Sequence, residues 1–203
     1  MGGMTDCFQP MEREHRVTYQ AVQELNHQGI GYLIVTKSAL VAREEYLQVF
    51  DKRLAHIQVT VTTLDDRQAA AYERASPPSE RIAAIRRLQD AGFDVSIRLS
   101  PLLEEFMDFE KLNSLGINKG IVEFLRINTW IRQWFQGVDY SRYTHRQGGY
   151  CHLPLEEKQR VLEKIRMPEL SVCEDVTEHY QFWKEHRNPN RGDCCNLRLG
   201  QKK

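Results

Sequence analysis

Long apolar runs are missing from this chain of 203 residues, and so is any excess of one charge. No stretch approaches the roughly 20 apolar residues that a helix needs to cross a bilayer, so no membrane partner is expected. Met1-Gly2-Gly3-Met4-Thr5-Asp6 has neither the basic n-region nor the apolar stretch of a secretory leader. The 28 basic and 28 acidic residues cancel. That removes a general drive towards nucleic acid or anionic membranes. Local basic groups at Arg81, Arg86, Arg87, Arg142 and Arg146 leave nucleic acid open as a partner that the net charge does not indicate. Cysteine is sparse and odd in number, five in all. This argues against a disulfide scaffold and for a reducing compartment, hence a cytoplasmic protein. Short repeats, low-complexity tracts, a phosphate loop and a readable Ser-His-Asp arrangement are all absent.

What is present is an ordinary globular composition, 41% hydrophobic and 28% charged, with enough apolar mass for a core. Its pattern is strand followed by helix. Val17, Ala21, Val22 and Leu25 recur at helical spacing over residues 12–28, with Gly29 as a stop. The run Tyr32-Leu33-Ile34-Val35-Thr36 is apolar throughout, as in a strand covered on both faces. A second amphipathic helix carries Leu40, Tyr46, Leu47 and Phe50. A Val-, Ile- and Thr-rich strand follows over 55–63. Ser76 and Pro77 open the next helix as cap and first residue. Ile82, Ile85 and Leu88 make its buried stripe, and Gly92 ends it. Further strands are expected at 93–99 and 120–127, with short helices at 106–115 and 129–136.

Strands alternating with helices imply parallel crossovers, at least four strands with a fifth at 170–173. Periodicity alone does not choose between a doubly wound sheet and a partial barrel. After Gly137 the character changes. Residues 139–152 read as irregular, 155–165 and 176–186 as helices. This divides the chain into a barrel-like part, 1–137, and a mixed C-terminal extension, 138–203, packed on it.

The start is unusual for a parallel α/β fold. It is a loop, Gly2 to Pro10, leading directly into a helix, with no strand to deliver the chain to it. Paired glycines permit close backbone approach to a ligand, and a flexible start is the bland alternative.

Several segments, in order, resemble one family. They are Gly-Gly-Met-Thr-Asp-Cys-Phe-Gln-Pro-Met-Glu (2–12), Ile-Val-Thr-Lys-Ser (34–38) and His-Ile-Gln-Val-Thr-Val-Thr-Thr-Leu-Asp (56–65). Ser-Pro-Pro-Ser-Glu-Arg-Ile (76–82) and Val-Ser-Ile-Arg-Leu-Ser-Pro (95–101) continue the series. Together they resemble the radical S-adenosylmethionine (SAM) proteins related to spore photoproduct lyase. The resemblance spans about half the chain, residues 2–101. It implies a partial parallel (β/α) barrel, a 4Fe–4S cluster held by a C-x3-C-x2-C loop, and SAM bound at the fourth iron. Reductive cleavage of SAM then yields a 5′-deoxyadenosyl radical. The departure is that this sequence has no C-x3-C-x2-C. Its cysteines are Cys7, Cys151, Cys173, Cys194 and Cys195. The expectation is therefore a barrel lacking its first strand and cluster loop, a fragment that does not bind the cluster and is inactive alone. Its substrate cannot be read.

The resemblance carries Gly2 and Gly3, within the segment that includes Thr5 and Asp6, onto positions that contact the SAM methionine moiety. It carries Lys37 and Ser38 onto a pair near its carboxylate and ribose, and Thr60 and Thr62 onto a polar position facing the ribose. A lysine at the end of a buried strand is costly unless its ammonium reaches a mouth or a counter-ion; snorkelling is the alternative. The threonines are also simply good strand formers. Arg98 either faces the barrel mouth or pairs with an acid such as Glu123. Glu12 and Asp6 either position substrate or cap the first helix, the cap being preferred for Glu12.

Cys173, Cys194 and Cys195 are soft-ligand types, weak metal candidates because no zinc spacing is present. Buried or redox thiols are the preferred reading. Trp130, Trp134, Phe135, Tyr140 and Tyr143 read as core aromatics, with a stacking surface as the alternative. Three functions follow: a radical SAM protein, a noncatalytic α/β nucleotide- or protein-binding module, and, weakest, a conventional barrel enzyme. An exposed first-strand edge would favour self-association.

Overall fold

A computed structural model describes residues 1–2, 5–190, 193–195 and 197. In chain order the elements are α1 Glu12–His15, α2 Val17–His27, β1 Tyr32–Thr36, α3 Glu44–Val49, β2 Ala55–Thr60, α4 Asp66–Tyr72, α5 Pro78–Asp90 and β3 Asp94–Leu102. Then come α6 Phe109–Ser114, β4 Lys119–Phe124, α7 Ile131–Trp134, β5 His145–Gln147, β6 Tyr150–His152, α8 Leu155–Leu162, β7 Glu169–Cys173 and α9 Thr177–His186. The main sheet has five strands in the order β1-β2-β3-β4-β7 and is not closed. β1 pairs parallel with β2, Ile34 opposite Ile57. β4 pairs parallel with β7, Glu123 opposite Cys173. The α/β class and the open, mostly parallel sheet match the expectation.

The chain forms two compact units, residues 1–61 with 75–97 and 197–203, and residues 62–74 with 98–196. The first buries Val22, Ile34, Val41, Ile57, Val59, Ile85 and Leu88. The second buries Leu103, Ile121, Val122, Val161, Val172 and Trp183. Each such apolar side chain contributes roughly 1.5–3 kcal/mol on burial. β7 takes its place beside β4 in the second unit.

Several local expectations are corrected. The first helix is two helices, broken at Arg16, which sits in the left-handed region at φ 52°. The break is held by Glu12. Its carboxylate accepts from the amides of Thr18 and Tyr19, both at 2.9 Å, and from the Tyr46 hydroxyl at 2.6 Å. Glu12 thus satisfies free donors at the start of α2. Val17, assigned to the apolar stripe, is exposed. Ser76 does not cap α5, which starts two residues later; its hydroxyl accepts from the Ala39 amide at 3.0 Å.

The sequence reading also missed α4. Its cap is Asp65, which accepts from the amides of Arg67 and Gln68 at 2.8 and 3.1 Å. The supposedly irregular stretch 139–152 contains the antiparallel hairpin β5–β6. Gly148 and Gly149 connect it with φ of 60° and 80°, the pair of positive values that a tight two-residue turn requires.

The outer edge of β1 is partly paired by the chain itself. The Val35 amide donates to the Met1 carbonyl at 3.0 Å, and the Met1 ammonium donates to the Leu33 carbonyl. This is the pattern of a parallel ladder.

Candidate functional site

Ligands of open parallel sheets bind at the carboxyl ends of the strands. In the first unit these ends form a cleft of about 190 Å³ lined by Gly2, Thr5, Asp6, Thr36, Lys37 and Thr60. Asp6 organises it. One carboxylate oxygen accepts from the Phe8 amide at 2.8 Å and the Thr36 hydroxyl at 2.7 Å. The other accepts from the Lys37 amide at 2.7 Å. The acid therefore ties the N-terminal loop to the end of β1. These three hydrogen bonds give Asp6 a positioning role.

Gly2 is required where it stands. Its φ is 92°, and a Cβ there would lie 2.1 Å from the Val35 carbonyl oxygen. Close approach to β1 is by itself enough to require glycine here.

Gly3 lies outside the described residues. Ser38 stands apart from the cleft lining, where its side chain caps the short turn Ala39–Ala42. Its own amide donates to the Thr36 hydroxyl at 2.9 Å. The cleft thus collects Gly2, Thr5, Asp6, Lys37 and Thr60 among the sequence candidates.

Arg81 is the residue that the sequence reading misplaced. It was grouped with a surface basic patch, yet it is fully buried. Its guanidinium donates to the Thr60 carbonyl at 3.0 Å and the Ser76 carbonyl at 2.6 Å, bracing the end of β2 that lines the cleft. Replacing Arg81 with methionine should leave one buried and one half-buried carbonyl underbonded and cost about 2–4 kcal/mol. Urea unfolding measures this; a change within 0.5 kcal/mol, as at an ordinary surface position, would refute the bracing role. The rest of the supposed patch is also spent in part, since Arg87 pairs with Glu44 and Arg142 with Glu104 and Glu157.

Thr62 and Arg98 lie in the second unit. Thr62 is buried and shares a 2.7 Å hydrogen bond with the Tyr72 hydroxyl. Arg98 pairs with Glu123 at 2.7 Å, and the Ser100 hydroxyl donates to the same carboxylate oxygen at 2.7 Å. The acid named beside Arg98 in the sequence reading is therefore its partner.

Glu123 lines a second cleft, about 320 Å³, with Ser100, Leu125, Arg126, Trp134 and Tyr150. Trp130 and Trp134 are 68% and 64% exposed, which corrects their assignment to the core. Phe135 packs against Tyr72 and Phe106, and Tyr143 is buried.

Cys7 is the sole cysteine of the first unit. Burial, and then the negative charge of Asp6, push its thiol up to about 11. An iron–sulfur cluster is held by several thiolates, so the residues of this unit do not fit one. The remaining four cysteines belong to the second unit. There, Cys173 and Cys194 lie with their sulfurs 3.7 Å apart. The hydrogen bond from Cys194 holds the Cys173 thiol down at about 7.

No family profile matches the chain. It is 32% identical over 75 residues to uncharacterized protein ORF301 of Acidianus two-tailed virus, covering 36% of this chain and 25% of that one. In structure it is similar to a spore photoproduct lyase variant, with TM-score 0.59 and 17% identity over 80% of this chain and 56% of that one. A spore photoproduct lyase complexed with dinucleoside spore photoproduct gives TM-score 0.55 at 16% identity, with the same coverage of both chains. A domain of the pyruvate-formate lyase-activating enzyme from Bacteroides vulgatus ATCC 8482 gives TM-score 0.54 and 19% identity, over 86% of this chain and all of that domain. These are radical SAM enzymes, and the chain has their partial-barrel fold. It spans about half the length of the photoproduct lyases and a quarter of the viral protein.

Proposed function

We propose that this chain is a SAM-binding scaffold of the radical SAM type whose own residues take the polar end of SAM but do not hold the cluster that cleaves it. The observation that carries this reading is the cleft at the ends of β1 and β2. There Lys37 and Thr60 supply donors beside a loop that Asp6 fastens in place. An ammonium and a hydroxyl suit a carboxylate and a ribose respectively. Bound to a cluster, SAM would supply a 5′-deoxyadenosyl radical. The first unit, with Cys7 alone, offers no set of thiolates for that cluster. The second cleft, with the exposed Trp134 in its lining, is a separate candidate for binding an organic ligand.

Equilibrium dialysis with labelled SAM tests the binding. Lys37→Met should weaken it about tenfold, the loss of one charge-assisted hydrogen bond at its lower bound. Thr60→Val should weaken it less. Anaerobic reconstitution with iron and sulfide should yield no 5′-deoxyadenosine. Unchanged SAM binding in Lys37→Met would refute the cleft assignment, and 5′-deoxyadenosine formation would refute the claim about the cluster.

A further inference from the structure

The strand β7 ends on Cys173, and the segment after α9 returns to place Cys194 against it. Two residue pairs hold that return to β7 by hydrogen bonds. The Asn188 amide clamps Val172 in both directions, accepting from its amide at 2.8 Å and donating to its carbonyl at 3.1 Å. The Ser171 hydroxyl donates to the Cys194 carbonyl at 2.7 Å. The Asp193 carboxylate accepts from the Cys195 amide at 2.9 Å, closing a turn that keeps the two adjacent cysteines together. Ligand atoms of Asp193, Cys194 and Cys195 lie within 4.8 Å of one another.

We infer that Cys173, Cys194 and Cys195, with Asp193 as the oxygen ligand, form a binding site for one thiophilic divalent cation of the zinc class. The spacing is the first reason. Two sulfurs each about 2.3 Å from a tetrahedral zinc lie about 3.8 Å apart. Cys173 and Cys194 are 3.7 Å apart, whereas a disulfide would bring them to about 2.05 Å. The donor set is the second reason: Asp193, Cys194 and Cys195 already gather one carboxylate and two thiols, and Cys173, outside that group, reaches it through Cys194, so that closing on a metal would complete a soft, anionic set of four.

One cation stands beside the site: the Arg98 guanidinium, next to Cys173 and also paired with Glu123. The His145–Glu178–His179 group is a poor holder, because the Lys158 ammonium faces His179 Nδ1 at 3.1 Å and would repel a cation. The thiol site is independent of the SAM reading, since every ligand lies in the second unit.

The test is titration of the reduced full chain with Zn²⁺ against a chromophoric chelator, and with Cd²⁺ to read thiolate-to-metal absorption. One equivalent should bind, with an absorption that reports three thiolates. Cys194→Ser should lose at least about 100-fold in affinity, more than the usual effect of an outer-sphere change. The double variant Cys7→Ser/Cys151→Ser should bind as the parent does. Near-UV circular dichroism of the metal-free variants separates loss of ligands from loss of fold. If Cys194→Ser folds and binds unchanged, if the Cys7/Cys151 variant loses binding, or if fewer than three thiolates report on Cd²⁺, the inference fails.

Discussion

Replacing Lys158 with methionine is expected to cost about 3–5 kcal/mol, because it leaves one charge of a buried pair without its partner. Lys158 is 0% exposed in α8, and Glu174, just before α9, is 4% exposed. Their side chains are in direct contact, and Lys158 Nζ also lies 3.1 Å from His179 Nδ1. The same Glu174 carboxylate accepts from the Asp175 and Val176 amides, both at 3.1 Å, at the start of α9. An unpaired carboxylate there would therefore disturb the seat of that helix. In a chain of this length the loss corresponds to a drop in Tm on the order of 10 °C.

The double variant Lys158→Met/Glu174→Gln should recover most of it. The amide oxygen keeps the contacts to the helix start, and no buried charge remains. Urea unfolding of the two variants decides the matter. A single variant within 1 kcal/mol of the parent would show that the pair carries no such cost.

A second large effect is expected from acid. His179 is 3% exposed in α9. Burial, and then the positive charge of Lys158, depress its folded-state pKa from 6.5 to about 4. The groups facing it are Lys158 from α8, Glu174 ahead of the helix, Glu178 beside it and His145 from β5. Between pH 6.5 and about 4 the unfolded chain takes up a proton that the folded chain refuses. Stability therefore falls as pH falls through that window, by up to about 3 kcal/mol at its lower end.

Glu104 loses its contribution only at lower pH. Burial alone would raise its pKa, yet Arg160, Lys164 and Arg142 overcome that and hold it at about 2. His179→Gln should flatten the dependence between pH 6.5 and 4 while leaving the decline below pH 4 in place. Unfolding free energies across that range measure it. An unchanged slope in His179→Gln would assign the acid sensitivity elsewhere.

The candidate site was legible in the sequence to the extent that its residues lie close along the chain. Lys37 follows β1 directly and Thr60 ends β2, so their place at the strand ends comes with the strand assignment itself. Asp6 was recognised as a candidate, but its three bonds to Phe8, Thr36 and Lys37 span up to 31 positions. No periodicity announces such a contact. Arg81 lies on the same grounds beyond sequence reading. On a helical wheel it counts as a charged position, and partners distant from it in the chain, the Thr60 carbonyl among them, make its burial tolerable. Trp130 and Trp134 failed in the opposite sense, because an aromatic run satisfies a core pattern whether or not anything packs on it.

What the sequence by itself determined is the succession of strands and helices, the α/β class and the lack of a cluster-binding cysteine loop. Each is a local property, read from hydrophobic period, turn residues and residue counts. Tertiary structure alone decided which distant groups meet. It spent Arg98 on Glu123 and folded Lys158 under α9. It also brought Cys173 to within 3.7 Å of Cys194 across 21 positions. Side-chain chemistry is written in the chain, but the partner that gives it a role is chosen by the packing of the sheet and its helices.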